Sequence, residues 1–293
     1  MLDYHVHLWA HGEPSAPPTL EQLAGYCDRA GAAGVSEVAI TEHLFRFAQA
    51  DAVLAGFWED DPDPRLRRTM AAYWADHARA DLDAYVDAVL AAKAEGLPVV
   101  LGLEVDHYAG RMDKVTALLE GYPFDVLLGS VHWLGAWGFD DYEDPVVAAE
   151  WDARSVDDVW RQYADALDEL SGSGACDVLA HVDLAKVTGR RPAVIDGFHH
   201  RFAAAAADNG LAVEVSSAGW RKPVGEPYPD PSLLRRLAVA EVPVTTASDA
   251  HRLSEVGAGV GELGRLLSDA GYRSLTAYRR REPLPVPLWR AEP

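Results

Sequence analysis

Seven short apolar segments, most of them ending in a histidine or a carboxylate, constrain the fold more than any other feature of the sequence. They are Leu2–His7, Glu37–His43, Val99–Asp106, Val126–His132, Asp177–Asp183, Ala212–Ser217 and Val244–His251. Most are rich in Val, Leu, Ile and Ala, which is typical of parallel strands that are buried on both faces. The sequence therefore predicts an α/β protein with seven such strands.

The stretches between these strands have the composition of amphipathic helices. The predicted helices are Thr19–Ala32, Arg65–Glu95, Met112–Glu120, Val156–Ser171, Arg191–Asn209 and Pro231–Ala240. Strands that alternate with helices form parallel sheets with right-handed crossovers, and seven such units favour a barrel that is closed or nearly closed. No linker-like tract interrupts the chain, so residues 1–293 are predicted to form one domain.

Two longer insertions follow the second and fourth strands. They span Phe45–Pro64 and Trp133–Val159, and both contain several aromatic residues. In barrel enzymes the loops after the strands form the active-site face, so these insertions are expected to shape or cover a pocket. For any single aromatic side chain, simple packing is the more common role.

Eight side chains capable of binding metal fall at the ends of the predicted strands. They are His5, His7, His43, Glu104, His132, His181, Asp249 and His251. The pairs His5/His7 and Asp249/His251 are two residues apart, which places both members on the same face of a strand. Imidazoles and carboxylates without thiolates suit Zn, Mn or Fe.

The case for a metal site depends on the whole pattern, because one histidine at a strand end is usually a packing or rim residue. So many buried polar groups without metal would incur a large desolvation cost. His11 follows the first strand and is a further candidate ligand, and Asp106 and His107 are candidates for contacts behind the ligands. His77, His199 and His200 do not fit the pattern and are predicted to be solvated or structural.

Charge and composition exclude several functional classes. The formal net charge is −20, which disfavours binding to nucleic acid or to an anionic membrane. The two cysteines form no CxxC motif or disulfide framework, and there is neither a signal peptide nor an apolar run of membrane-spanning length. We therefore expect a cytoplasmic protein, of undetermined oligomeric state, in which metals or arginines supply any positive charge at the site.

The strand-end motifs resemble those of the PHP (polymerase and histidinol phosphatase) superfamily, in the same order. They are His5-Val-His7, Thr41-Glu42-His43, Gly102-Leu-Glu104, Gly129-Ser-Val-His132, Ala180-His181-Val-Asp183 and Ser248-Asp249-Ala-His251. Within the superfamily the chain looks most like the histidinol-phosphate phosphatases. The stretches that carry this likeness are Trp137-Gly-Phe-Asp140, Ser217-Ala-Gly-Trp-Arg221-Lys222-Pro and Glu226-Pro-Tyr228-Pro. The chain departs from the superfamily pattern at Glu42, where Asp is more frequent, and in the spacing of His11.

The resemblance implies a distorted (β/α)7 barrel of the PHP type with two to three divalent metal ions. It assigns His5, His7, Glu104 and Asp249 to one metal, Glu104, His132 and His181 to a second, and His43 and His251, with His11 as the likeliest extra ligand, to a third. Glu104 would bridge the first two. Asp249, Glu104 and His251 are the candidate catalytic residues; Arg221, Lys222 and, more weakly, Arg161 are candidates for substrate contact.

The expected activity is hydrolysis of a small phosphomonoester, and the resemblance points to L-histidinol phosphate. Bound metals would lower the pKa of water and neutralise phosphate charge. Three alternatives stay open: a PHP phosphoesterase acting on another phosphomonoester or on a nucleotide phosphodiester, a metal-dependent amidohydrolase, and a non-catalytic metal-binding module. An amidohydrolase would usually have an eighth strand and a carboxylated lysine, and a non-catalytic module would usually have lost ligands.

Overall fold

A computed structural model describes residues 1–10 and 16–288. Its strands are β1 (Leu2–Val6), β2 (Glu37–Ile40), β3 (Val99–Asp106), β4 (Val126–Ser130), β5 (Trp133–Leu134), β6 (Trp137–Gly138), β7 (Val178–Leu179), β8 (Ala212–Ser216), β9 (Val244–Ala247), β10 (Ser274–Arg279) and β11 (Glu282–Pro287). Its α-helices are α1 (Leu20–Ala32), α2 (Ala48–Leu54), α3 (Pro64–His77), α4 (Leu82–Ala94), α5 (Met112–Leu119), α6 (Pro145–Ala153), α7 (Val156–Gly172), α8 (Asp196–Asp208), α9 (Pro231–Val239) and α10 (Val260–Ala270).

The seven predicted strands form one parallel sheet, in the order β1-β2-β3-β4-β7-β8-β9. The two edge strands, β1 and β9, lie next to each other. The amide of His7 donates to the carbonyl of Ala250 at 2.8 Å, and the Thr246 hydroxyl donates to the carbonyl of Leu2 at 2.6 Å. The sheet is therefore a nearly closed seven-stranded barrel with helices between the strands, which confirms the predicted fold.

Six of the seven strands end earlier than the sequence predicted, and only β3 has the predicted bounds. The difference is largest for β7 and β9, which end at Leu179 and Ala247, so the predicted strand ends at Asp183 and His251 were wrong. In both cases the backbone turns into the left-handed region soon after the strand, with φ of 27° at His181 and 51° at Asp249. Such angles are uncommon for residues with a side chain and persist where surrounding contacts hold them, often at functional sites.

The long predicted helix from Arg65 to Glu95 is two helices, α3 and α4. Asp81 interrupts it, since its carboxylate accepts hydrogen bonds from the amides of Asp83 and Ala84 and so caps α4. The carbonyl of Arg46 accepts hydrogen bonds from the amides of Arg79 and Ala80, which would otherwise continue the first helix. The Thr19 cap of α1 is as predicted, with its hydroxyl accepting from the amide of Gln22 at 3.1 Å.

A carboxy-terminal hairpin, β10–β11, covers the amino ends of the barrel strands. Arg279 pairs with Glu37 at the start of β2, and Arg281 pairs with Asp177 just before β7. Tyr278 is buried in the apolar cluster that contains Tyr4. The hairpin thus covers the amino ends of the strands, and the carboxyl ends are the face where barrel enzymes place their catalytic groups.

Within residues 1–10 and 16–288, no helix combines the length and the hydropathy needed to cross a membrane.

Candidate metal centre

All eight strand-end ligand candidates meet at the carboxyl end of the barrel. Six of them are buried, and Asp249 and His251 are partly exposed. The buried ones are His5, His7, His43, Glu104, His132 and His181. His11, the ninth candidate, lies outside the described residues and remains a prediction.

Glu104 lies at the centre of this cluster, and its two carboxylate oxygens face different histidines. Oε2 lies 2.7 Å from His43 Nδ1, 3.2 Å from His5 Nε2 and 3.5 Å from His7 Nε2. Oε1 lies 3.1 Å from His181 Nε2 and 3.4 Å from His132 Nε2. A carboxylate with ligands on both sides has the arrangement needed to bridge two cations.

Four overlapping groups of side chains bring their ligand atoms within 4.8 Å of one another. They are His5/His7/Asp249, His5/Glu104/His181, His7/His43/His251 and His43/Asp106/His132. The first three overlap the three ligand sets that the resemblance implies. In the fourth, His132 directs Nδ1 to Asp106 at 2.5 Å and Nε2 to Glu104, so Asp106 orients this imidazole from behind.

The donor set fits divalent metal ions. Among the described residues, no hydrogen-bond partner is correctly placed for His5 Nε2, His7 Nε2 or Glu104 Oε2, although all three atoms are buried. Buried polar atoms left in this way are costly, and cations that accept imidazole and carboxylate ligands would remove that cost.

Burial holds two of the imidazoles in the form that binds metal. It lowers the pKa of His43 to about 3 and keeps the pKa of His7 well below its usual range. Burial alone would raise the pKa of Glu104, but the surrounding histidines hold it well below the usual range. Neutral imidazoles beside an ionised carboxylate are the protonation states that metal binding requires.

Two other imidazoles are fixed by carboxylates behind them. Burial disfavours the charge on His5 and His132, but nearby carboxylates raise both pKa values, that of His132 to about 10. His5 Nδ1 lies 2.7 Å from Glu214 Oε2, in the same way as His132 Nδ1 faces Asp106. Such contacts fix the tautomer and ring orientation of a ligand, since the opposite nitrogen is left for the metal.

Sequence reasoning missed the role of Glu214 and did not assign one to Glu42. Glu42 is fully buried beneath the first strand end, where its carboxylate accepts hydrogen bonds from the amides of Leu8 and Trp9. It shares this pocket with the buried Arg46, whose guanidinium donates to the carbonyl of Trp9 at 3.1 Å. A carboxylate inside an apolar strand, as in Val213-Glu214-Val215, was the available signal for Glu214.

A cavity of about 810 Å³ opens above the metal centre. Arg221, Lys222 and Arg252 line it beside Asp249 and His251. Arg221 also donates hydrogen bonds to the carbonyls of Ser248 and Asp249, at 2.7 and 3.2 Å. The predicted pair Arg221 and Lys222 therefore lies at the cavity, and Arg221 additionally secures the loop that carries Asp249.

Part of the cavity lining is acidic and aromatic. It comes from the two insertions and from α3, and its residues are Phe45, Tyr73, His77, Trp133, Asp140, Asp141, Tyr142 and Glu143. The ring of Phe45 stacks on His43 with a centroid separation of 4.7 Å. The insertions thus shape the pocket as expected, while Trp137 and Trp151 are packing residues.

The prediction of substrate contact by Arg161 needs correction. Arg161 is exposed on α7, where it pairs with Asp158, and it does not line the cavity. Helical periodicity explains this, because α7 buries the neighbouring Trp160 and Tyr163 and turns Arg161 to the outside. His77 has the structural one of its two predicted roles, since it stacks on Tyr73 at 4.0 Å, and it also lines the cavity.

The histidine predicted to contact the ligands from behind, His107, instead pairs with Glu169 on α7 at 2.9 Å. His199 has a structural role, as predicted, and lies 3.1 Å from the Ser232 hydroxyl. His200 is exposed on α8. The structure thus separates these residues from the eight that converge on the strand ends.

A seven-stranded barrel with imidazoles and carboxylates at the carboxyl ends of its strands defines a metal-dependent hydrolase type of site. The chain belongs to the PHP domain family, whose model matches residues 3–218. It is 32% identical over 286 residues to a Deinococcus radiodurans protein named "Probable histidinol-phosphatase", covering 97% of this chain and 99% of that protein.

Two solved structures share the fold. One is the "putative histidinol phosphatase" of Listeria monocytogenes, with a TM-score of 0.70 and 18% identity over 89% of this chain and 99% of that one. The other is histidinol phosphate phosphatase of Lactococcus lactis complexed with Zn, L-histidinol and phosphate, with a TM-score of 0.65 and 18% identity over 96% and 98% of the two chains. At this identity the likeness establishes the fold, in agreement with the barrel described above.

Proposed function

We propose that this protein hydrolyses L-histidinol phosphate to L-histidinol and inorganic phosphate, using two to three divalent ions of Zn, Mn or Fe. The buried cluster around Glu104 provides ligands on both sides of one carboxylate. The full-length relative carries the corresponding name. A single domain over residues 1–293 and a cytoplasmic location remain predictions.

The observation that supports L-histidinol phosphate as the substrate is the presence of both basic and acidic side chains in the cavity. Arg221 and Lys222 line the cavity together with the ligand candidates, and Asp140, Asp141 and Glu143 line it as well, with aromatic rings. L-Histidinol phosphate carries a phosphate, an ammonium on the carbon next to the phosphate-bearing CH2 group, and an imidazole beyond it. Basic and acidic side chains in one pocket would therefore pair with the phosphate and with the ammonium of the same substrate.

Each residue of the site has a distinct task in this proposal. His5, His7, His43, Glu104, His132, His181, Asp249 and His251 would hold the metal ions, which lower the pKa of water and neutralise phosphate charge when bound. Arg221 would donate to phosphate oxygens, for which its planar guanidinium is suited. Burial raises the pKa of Asp249, but its histidine neighbours lower it below the usual range, which favours an ionised ligand over a general acid.

Phosphate release from L-histidinol phosphate by metal-analysed protein tests the proposal. The comparison panel is p-nitrophenyl phosphate, glycerol phosphate and a bis(p-nitrophenyl) phosphodiester. We expect selective turnover of L-histidinol phosphate with two to three metals per chain. Metal-loaded protein that prefers another ester would refute the substrate and keep the reaction class, while protein that hydrolyses no ester would refute both.

Substitution of two different arginines distinguishes the loss of a phosphate contact from a general effect of removing a positive charge. Arg221→Ala removes charge-assisted hydrogen bonds to phosphate and should lower kcat/KM about 10- to 100-fold. Arg161→Ala should leave kcat/KM unchanged, because Arg161 is exposed on the outer face of α7. Equal effects of the two substitutions would contradict both assignments.

A further inference from the structure

The hydroxyl group of Tyr228 is buried at the cavity, and its hydrogen-bond partner is not among the residues that the structure describes. Tyr228 is only 1% exposed, yet it lines the cavity together with His181 and Asp249. No described residue forms a hydrogen bond with its hydroxyl oxygen. By contrast, the buried hydroxyl of Tyr85 donates to the carbonyls of Ile40 and Gly102 at 2.8 and 2.9 Å. A buried hydroxyl without a partner is costly, and a ligand that enters the cavity with an acceptor atom would remove that cost.

The backbone at Tyr228 is fixed to the end of β8. Its amide donates to the carbonyl of Ser216 at 3.0 Å, and the amide of Ser216 donates to its carbonyl at 2.6 Å. Gly219 leaves room for this segment, because a Cβ atom there would lie 2.0 Å from the carbonyl oxygen of Glu226 and 3.1 Å from the Tyr228 ring. The phenol therefore cannot relax toward solvent without disturbing the strand end.

The buried ion pair of Lys186 and Asp183 packs against the Tyr228 ring. The Lys186 ammonium lies 5.2 Å from the centre of the Tyr228 ring, 2.9 Å from Asp183 and 2.8 Å from the carbonyl of Pro227. Asp183 in turn accepts a hydrogen bond from the amide of Asp230 at 2.7 Å. On another side, the edge of the ring meets His181, a candidate metal ligand, at a centroid distance of 6.2 Å.

The phenol is suited to donate a hydrogen bond. A tyrosine hydroxyl has an ordinary pKa of about 10, so at neutral pH it carries a proton that it can donate. An acceptor that enters the cavity beside His181 and Asp249 would satisfy it.

We infer that the Tyr228 hydroxyl donates a hydrogen bond to a phosphoryl oxygen of the bound substrate, which makes it a further catalytic residue. This inference rests on the proposed phosphomonoesterase function and specifies a protein group that binds the transferred phosphoryl group in addition to Arg221. The fixed position of the ring means that the donor is in place before the substrate arrives, which is the condition for effective stabilisation of developing charge. No covalent step involves Tyr228.

The test compares Tyr228→Phe with Tyr85→Phe in metal-loaded protein. Tyr228→Phe should lower kcat/KM for L-histidinol phosphate and p-nitrophenyl phosphate by about 10- to 100-fold. It should weaken competitive inhibition by inorganic phosphate and leave the metal content and the Tm of the substrate-free protein unchanged. Tyr85→Phe should do the opposite, lowering Tm by a few degrees because the hydroxyl that donates to the backbone carbonyls is lost, while kcat/KM stays within about twofold.

The outcomes separate this inference from the proposed function. Unchanged kcat/KM and unchanged phosphate inhibition in Tyr228→Phe, with an active wild-type protein, would overturn the inference alone. A wild-type protein that hydrolyses only other phosphate esters would refute L-histidinol phosphate as the substrate and leave the role of Tyr228 to be judged on those esters and on phosphate inhibition. A wild-type protein that neither hydrolyses a phosphate ester nor binds phosphate would overturn both.

A second measurement covers the case in which Tyr228→Phe fails to fold. Replacing Tyr228 by 3-fluorotyrosine keeps the ring and the hydroxyl, and its fluorine resonance should shift when inorganic phosphate is added to the metal-loaded protein. A resonance that does not respond to saturating phosphate would overturn the inference.

Discussion

Nδ1 of His5 lies 2.7 Å from Oε2 of Glu214, and both side chains are fully buried. The other oxygen of Glu214 accepts a hydrogen bond from the backbone amide of His181 at 3.3 Å. One carboxylate in the middle of β8 therefore orients an imidazole from β1 and supports the left-handed turn that carries a second candidate ligand. Glu214 is a positioning residue that couples two parts of the metal centre.

Loss of the Glu214 carboxylate should weaken metal binding without removing a ligand. We expect Glu214→Ala to lower metal affinity about 10- to 100-fold, because His5 would lose the contact that fixes its orientation. The measurement is a competition titration with a chelator, followed by metal analysis. Asp125→Asn is the matched control, since Asp125 is also buried and bonds to Lys93 and the amide of Leu101 far from the cavity.

The chelator titration should distinguish Glu214→Ala from Asp125→Asn. Asp125→Asn should lower Tm and keep its metals, whereas Glu214→Ala should lose metals at chelator concentrations that leave the control loaded. Equal metal retention in both proteins would show that Glu214 has only a structural role.

The sequence predicted the positions that the barrel topology determines. Residues at the carboxyl ends of parallel strands must converge, so His5, His132 and Asp249 could be grouped before any coordinates were known. The role of Glu214 was not predicted, because a single polar residue in an apolar run gives no periodic signal. Its role depends on strands β1 and β8, whose residues are separated by more than 200 positions, as in the His5–Glu214 contact.

Other features depended on tertiary contacts that no local pattern encodes. The hairpin β10–β11 was not predicted, because Pro283, Pro285 and Pro287 disfavour a central strand and are tolerated only where the N–H is not needed. The break between α3 and α4 depends on the Arg46 carbonyl, which is distant in sequence. The acidic part of the cavity lining at Asp140 depends on where the insertion packs relative to the strand ends, which the sequence alone does not determine.

Removal of Glu104 should affect more than one metal at once. In Glu104→Gln the bridging charge is lost from the side chain that faces five histidines, including His43 at 2.7 Å and His181 at 3.1 Å. We expect at least two metals per chain to bind more weakly and phosphatase activity to fall by roughly 10³-fold or more, since metals contribute several kcal/mol to such reactions. Metal analysis beside the activity assay checks this, and unchanged metal content with unchanged turnover would refute the bridging role.

Both cysteines should resist thiol reagents until the protein unfolds. Cys27 and Cys176 are free and buried, and burial raises their pKa values to about 11 and about 12. At pH 8 both are therefore protonated, and the thiolate is the reactive form. A disulfide-exchange reagent should modify neither in native protein and both in denaturant; rapid reaction of the native protein would contradict this.

The same pKa shifts give the sign of a pH effect on stability. A thiol whose pKa is raised on folding contributes stability that is fully present below the pKa of the unfolded chain and is lost as pH rises through the folded pKa. The free energy of unfolding should therefore fall between about pH 9 and about pH 12. Cys176→Ser should reduce this slope, as measured by urea unfolding at several pH values; an unchanged slope would show that Cys176 does not contribute.

Asp140 should determine which phosphate esters are good substrates. It is partly buried and lines the cavity, and its charge helps to raise the pKa of His132. A substrate ammonium placed near Asp140 would gain a charge-assisted interaction that an uncharged ester cannot make. Asp140→Asn should therefore raise KM for L-histidinol phosphate about tenfold and leave KM for p-nitrophenyl phosphate nearly unchanged.

The comparison between the two substrates makes the Asp140 prediction specific. A general disturbance of the metal centre would impair hydrolysis of both esters, whereas loss of an ammonium contact impairs only one. Asp165→Asn is the control for removing an acidic charge from this acidic protein, because Asp165 is exposed and pairs with Arg201 on the outer surface. If Asp140→Asn impairs both esters equally, Asp140 acts through the metal centre by way of His132, and the ammonium must bind elsewhere in the cavity.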